Sequence, residues 1–150
     1  EAKSEIDLFD RGADIYTSDL STKILMASFK INDEATQLWV PAEGERMPSD
    51  LKEALRDPEV LKVAFNAQFE RLMTNRVLAR TMDIHVPYEE WRCAMALAYM
   101  FSFMGGLDDI ADQMDLRYKK DPRGKQLIRM FCQPNKPTKN QPFVWRDMHS

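Results

Sequence analysis

The chain has 150 residues, 44% hydrophobic and 30% charged, a length and balance suited to one folded domain with a core of its own. No apolar run approaches the roughly 20 residues needed to span a bilayer, so no membrane segment is expected. The opening E-A-K-S-E-I-D is too acidic and polar for a secretory signal. The first predicted element is the β-rich run T-K-I-L-M-A-S-F-K-I (residues 22–31), with N-D-E-A as a turn and T-Q-L-W-V (residues 36–40) as its hairpin partner. P-A-E-G-E-R-M-P is loop. S-D-L-K-E-A-L (residues 49–55) is helix, with Ser49 as its N-cap and Asp57-Pro58 as its stop. V-L-K-V-A-F (residues 60–65) reads as a short, buried, parallel strand.

From Ala67 to about Met82 the apolar residues Phe69, Leu72, Met73, Val77 and Leu78 fall at helical spacing. W-R-C-A-M-A-L-A-Y-M-F is read as a further helix, apolar all round and hence buried, ended by Gly105-Gly106. L-D-D-I-A-D-Q-M-D-L places Leu107, Ile110, Ala111 and Met114 on one helical face, and G-K-Q-L-I-R-M-F-C (residues 124–132) is a last short helix. The tail Q-P-N-K-P-T-K-N-Q-P is a linker or surface loop. A β-meander followed by a strand and several helices predicts an α/β domain, a mixed sheet flanked by helices.

The net charge of −3 conceals an asymmetry: Glu1–Leu116 carries 12 Lys+Arg against 22 Asp+Glu, and Arg117–Ser150 carries 9 against 2. A basic end on an acidic body suits contact with a polyanion, although on charge alone a solvated Lys-rich loop is the better reading. Cys93 and Cys132 form no C-x-x-C pair, so reduced thiols and a cytoplasmic location are expected. His85 and His149 are too scattered for a zinc site. A chain that opens on Glu and closes at R-D-M-H-S is expected to be a piece of something longer.

The stretch V-A-F-N-A-Q-F-E-R-L (residues 63–72) supports two readings. In the plain one, Asn66 closes a strand and caps a helix, and Glu70 sits in the first turn, where the helix dipole favours a carboxylate. In the functional one, Asn66 and Glu70 share a helix face beyond the carboxyl end of a strand, where α/β sheets bind ligands. Glu70 is then one of the one or two carboxylates that a Mg²⁺ ion takes from a protein.

Those residues carry a resemblance. V-A-F-N-A-Q-F-E-R resembles the second acidic motif of the proofreading 3′–5′ exonuclease domain in family-A DNA polymerases of bacteriophages, with Glu at the position where most relatives carry Asp. E-A-K-S-E-I-D-L is similar to the stretch starting at the first acidic motif, Asp-x-Glu, with Glu1 as its second carboxylate. W-R-C-A-M-A-L-A, G-G-L-D-D-I-A and G-K-Q-L-I-R-M-F-C-Q-P-N-K-P-T follow in the family's order, so the resemblance runs through all 150 residues as one exonuclease-like domain.

The resemblance implies a ribonuclease-H-like fold in which four acidic residues gather two divalent ions, Mg²⁺ or Mn²⁺, for hydrolysis of the 3′-terminal phosphodiester of DNA. It gives Glu1 and Glu70 as catalytic metal ligands and Asn66 as a contact for the terminal nucleotide. Gln68, Phe69, Arg92 and Met95 line the single-strand groove in this reading, although Phe69 and Met95 also suit a core. Lys119, Lys120, Arg123 and Lys125 are candidate contacts to the DNA backbone. The implied partners are a single-stranded or frayed 3′ end and a polymerase domain of the same parent chain. Two of the four carboxylates fall outside the sequence: the first motif's Asp, two residues before Glu1, and the third motif, Tyr-x-x-x-Asp. Tyr118-Lys-Lys-Asp121 has the wrong spacing and comes too early, so it is read as a charged loop. The alternatives are a free-standing exonuclease of the same type, a metal-free exonuclease-like scaffold, and an interaction module using an adaptable surface of the ten methionines.

Overall fold

Asp7 begins the first helix, its carboxylate accepting hydrogen bonds from the amides of Phe9 (2.7 Å) and Asp10 (3.3 Å) in the computed structural model, which describes residues 1–134 and 138–140. This helix, α1 (Leu8–Ser18), is absent from the sequence expectation. Gly12, at φ +78°, kinks it and breaks the apolar periodicity that would have revealed it.

Ahead of α1, β1 (Ala2–Lys3) pairs antiparallel with β2 (Lys23–Ile24), Ala2 opposite Ile24. The expected hairpin is present only as β3 (Ala27–Phe29) and β4 (Gln37–Trp39), with Ser28 opposite Leu38; the first part of the expected 22–31 strand, Lys23–Ile24, pairs with β1 instead. Trp39 anchors it: the side chain is 2% exposed, and its indole N–H donates to the Glu45 carbonyl at 3.2 Å. Helix α2 (Ser49–Arg56) stops before Pro58 as expected, but Ser49 is its first helical residue rather than its cap. Pro48 occupies the cap position, and no side chain caps the helix.

The parallel pair is β5 (Lys62–Ala64) with β6 (Trp91–Cys93), Val63 opposite Arg92. Two expectations fail here. W-R-C is strand rather than the start of a helix, because it pairs with β5; only Ala94–Met100 is helical, as α5. Burial is also reversed. Val63 is 67% exposed while Lys62 is buried, and α5 leaves Leu97, Met100 and Phe101 exposed instead of hiding them.

Residues 67–82 are helical throughout, as α3 (Ala67–Leu72), a π-helical stretch (Met73–Leu78) and α4 (Ala79–Met82). Their buried face carries Leu72, Met73, Val77 and Leu78. The core joins Met73 and Val77 to Ala2 and Tyr16, with Leu8, Ile24 and Phe69 packed against them. Two arginines fasten this helix to α1. Arg76 bonds the Asp14 carboxylate and carbonyl and the Ser18 hydroxyl, and Arg80 reaches the carbonyls of Thr17, Ser18 and Asp19.

Helices α6 (Leu107–Gln113) and α7 (Gly124–Cys132) follow, with Ile110 and Ala111 buried but Leu107 and Met114 about half exposed. Of the tail read as a linker, residues 133–142, residues 135–137 and 141–142 lie outside the described residues. The result is a mixed α/β arrangement in which the expected single sheet is replaced, among the described residues, by three two-stranded ladders.

Candidate functional site

A cavity of about 430 Å³ lies between these ladders, and Glu1 and Glu70 both line it. Glu1 is positioned by backbone pairing. Its carbonyl accepts from the amides of Leu25 (2.9 Å) and Met26 (3.3 Å), and its amino nitrogen donates to the Met26 carbonyl at 2.6 Å. Glu70 is positioned by α3, whose first residue follows the end of β5 by way of Asn66.

The electrostatics tie the two acids together. Desolvation at the cavity wall raises the Glu70 pKa above the ordinary glutamate value; its own backbone amide and the Glu1 ammonium work against the rise, and the Glu1 carboxylate adds to it. Glu1 also acts on two groups that sequence reasoning missed. The Cys132 thiol, brought over by α7, donates to Glu1 Oε2 at 4.0 Å. Burial, with the Glu1 charge next, pushes that thiol up to about 11. Burial likewise raises the Tyr16 phenol, with further contributions from the Cys132, Glu1 and Asp7 charges. At neutral pH Glu1 therefore faces a protonated phenol and a protonated thiol. No local spacing signals either residue; Tyr16 comes from the helix that the sequence hid.

Asn66 adopts a left-handed backbone (φ +60°, ψ +52°), and its exposed side chain makes no capping bond to α3, contrary to the plain expectation. Its carbonyl accepts from the Phe69 amide at 3.1 Å. Asparagine tolerates this conformation better than most residues. Phe69 serves the core, its ring 6.2 Å from that of Tyr16, and it also borders the cavity. Gln68 is exposed and is not among the cavity's lining residues.

Arg92 points into solvent from β6 and donates to the carbonyls of Glu89 and Trp91. Met95 is half-buried in the first turn of α5. Backbone amides of Asn66, Ala67, Met95 and Ala96 converge on the Cys93 sulfur; burial opposes ionisation, but these bonds prevail and hold the thiol below its ordinary pKa.

The basic residues stand apart from the cavity. Lys119 pairs with Asp112 at 2.7 Å, Lys120 with Asp108 at 4.0 Å, and Arg123 with Asp121 at 2.7 Å, while Lys125 is exposed on α7.

Hard carboxylate oxygens with few protein ligands suit one Mg²⁺ that keeps most of its waters. They do not amount to a two-metal centre. Among the described residues there is no group of three or more His, Cys, Asp and Glu that could hold a metal. Nor is any helix there long and apolar enough to cross a membrane. A further polar feature borders the cavity: the Trp91 indole N–H is buried without an acceptor among the described residues.

No family model matches the chain, and no solved structure is matched. Over 139 residues, 93% of its length, the chain is 33% identical to a DNA polymerase of Bacillus phage SP02. It spans about a fifth (21%) of the length of that curated relative. Nearly the whole chain is thus similar to one segment of a bacteriophage DNA polymerase.

Proposed function

We propose that the chain is the 3′–5′ exonuclease segment of a family-A DNA-directed DNA polymerase, with a ribonuclease-H-like fold, hydrolysing the 3′-terminal phosphodiester of DNA to release a nucleoside monophosphate. The observation that carries this reading is the meeting of Glu1 and Glu70 at one cavity, in a chain similar along its length to part of a phage polymerase. In this reading Glu1 and Glu70 hold a divalent cation, Mg²⁺ or Mn²⁺. Of the two cations that this reaction would use, one, when bound, would lower the pKa of a water and the other would steady the leaving 3′ oxygen.

The protein's own groups do the rest. The Glu70 residue is exposed, so its carboxylate is open to a cation, and partial desolvation at the cavity wall raises its pKa above the ordinary glutamate value. Tyr16 and Cys132 remain protonated near Glu1, and the Cys132 thiol donates to its carboxylate. Asn66, free of any capping duty, presents its amide to the terminal nucleotide. The frayed strand is held by stacking and backbone contacts without sequence reading, with Gln68, Arg92 and Met95 at its edge and the basic residues Lys119, Lys120, Arg123 and Lys125 further out. The remaining carboxylates come from flanking parts of the parent chain. On a strand, the residue two before Glu1 shares its face.

A second reading, a metal-free exonuclease-like scaffold, is favoured by one observation: the two-carboxylate donor set among the described residues. Glu70→Ala in the full-length polymerase separates the two. Partners that merely orient a metal ligand are worth 10–100-fold, so loss of the ligand itself should lower 3′-end hydrolysis by more than about 100-fold. Primer extension should change less than about twofold. Equal loss of both activities, or hydrolysis unchanged by the substitution, refutes the assignment, and a parent with no 3′-end hydrolysis to lose leaves the scaffold reading. The 150-residue chain alone should bind Mg²⁺ weakly. At a Mg²⁺ concentration equal to Kd the gain is about 0.4 kcal/mol, or about 1 °C in Tm.

A further inference from the structure

Glu1 and Glu70 reach the cavity from different elements, so their separation depends on what holds β1 against the 67–82 helix. Helix α1 stands between them. Its Tyr16 packs in one cluster with Ala2 of β1 and with Met73 and Val77 of the π-helical stretch. Apolar packing is non-directional, so it does not by itself fix how far one element slides along another. Hydrogen bonds do.

Two sets of such bonds grip α1, one from each side. On the β1 side, the Thr22 hydroxyl donates to the Tyr16 carbonyl at 2.5 Å and lies 2.8 Å from the hydroxyl of Ser4, the residue after β1. Ser4 and Thr22 are 0% and 2% exposed, so water does not compete for these bonds. On the other side, the last carbonyls of α1 lack partners within the helix. Arg80 donates to those of Thr17, Ser18 and Asp19, each at 2.8 Å. Arg76 donates to the Asp14 carbonyl and carboxylate at 2.6 Å and to the Ser18 hydroxyl at 2.7 Å. A guanidinium is a rigid fork of donors, and its charge suits the negative end of a helix dipole. None of Ser4, Thr22, Arg76 and Arg80 lines the cavity.

We propose that Arg76 and Arg80 are positioning residues for the metal site: through α1 and the Ser4–Thr22 link they set the separation at which Glu1 and Glu70 meet one cation. With both arginines gone, α1 is free to shift against the helix of Glu70, and Glu1 follows it through Thr22 and Ser4. A slip of about 1 Å is enough, because Mg²⁺ demands near-ideal geometry at about 2.0–2.1 Å from each oxygen.

The test uses the full-length polymerase with Mn²⁺ as the probe. Mn²⁺ held at this site is counted by electron paramagnetic resonance, as the difference between the parent and Glu70→Ala. Removing a group that orients a metal ligand costs 10–100-fold, and the arginines act one step further out. Arg76→Ala combined with Arg80→Ala should therefore weaken Glu70-dependent Mn²⁺ binding by about 10-fold. The Mn²⁺ concentration for half-maximal 3′-end hydrolysis should rise by the same factor, with KM for DNA and primer extension unchanged. Thr22→Val, which breaks the link to Tyr16, should move both readouts in the same direction. Ile110→Ala is the control: it empties a buried position on α6 that does not line the cavity, so it lowers Tm and should leave Mn²⁺ binding at the parental value. If the double variant does not fold, Arg80→Lys, which keeps the charge without the fork, carries the same test. Parental Mn²⁺ binding in the arginine variants overturns the proposal, as does binding that simply follows Tm across all variants. The inference takes its metal site from the exonuclease reading, but the two fail separately. Hydrolysis lost in Glu70→Ala, with Mn²⁺ dependence untouched by the arginine changes, sinks the clamp alone. Glu70-dependent Mn²⁺ binding that the arginine changes weaken, in a parent without 3′-end hydrolysis, upholds the clamp and sinks that reading. A parent with no Glu70-dependent Mn²⁺ binding sinks both.

Discussion

Lys62 offers a sharp quantitative test, because its charge is buried at the base of the cavity wall. Its side chain is 6% exposed; Nζ lies 2.6 Å from Glu90 Oε2 and 2.7 Å from the Asp57 carbonyl, and the Glu90 side chain is only 15% exposed. Glu90 immediately precedes Trp91, the residue opposite Lys62 in the parallel ladder, so the pair staples β5 to β6 and both to the end of α2. Glu90→Ala strips the ammonium of its counter-charge while leaving it buried, which costs about 3–5 kcal/mol. A domain of this size is stable by about 5–15 kcal/mol, so the variant sits near the edge of folding, with Tm lower by about 6–20 °C. Replacing both partners together, Lys62→Met with Glu90→Leu, removes the desolvated charges and should be within about 2 kcal/mol of the parent. Urea denaturation of the parent, Lys62→Met, Glu90→Leu and the double variant gives the coupling between the partners. A Glu90→Ala cost below about 1 kcal/mol, the range of a solvated surface pair, would refute the buried-pair reasoning.

Two further outcomes are expected. Glu70 has a raised pKa, so the folded state holds its proton more tightly than the unfolded state does. Stability from this group is therefore present below the ordinary glutamate range and lost as pH rises through the raised value. Glu70→Gln should then exceed the parent in urea resistance at pH 7 and match it at about pH 4, and a gain that is equal at both pH values would refute the assignment of cause. At Asn66, with φ +60°, replacement by Gly keeps the backbone and should leave Tm within about 2 °C, whereas Asn66→Ala should lose about 1–2 kcal/mol. Under the exonuclease reading Asn66→Gly still weakens 3′-end hydrolysis in the full-length protein, which separates a nucleotide contact from a backbone requirement.

What the sequence disclosed was local. The 67–82 helix, α2 and α7 follow from periodicity within a few residues and stand where they were expected, and the hairpin follows from turn chemistry with a first strand shorter than expected. Failures occurred where a partner distant in sequence decides the state. W-R-C has helical apolar spacing, yet pairing with β5 makes it strand. In V-L-K-V-A-F the pattern places Val63 inside and Lys62 outside; Glu90 reverses this by giving the lysine a buried counter-charge. Helix α1 was hidden by Gly12, although Asp7 carried a readable capping signal. At the site, spacing offered Asn66 with Glu70 and nothing to pair Glu1 with either; the resemblance supplied that link. Tyr16 and Cys132 were illegible because they reach Glu1 only through the packing of α1 and α7.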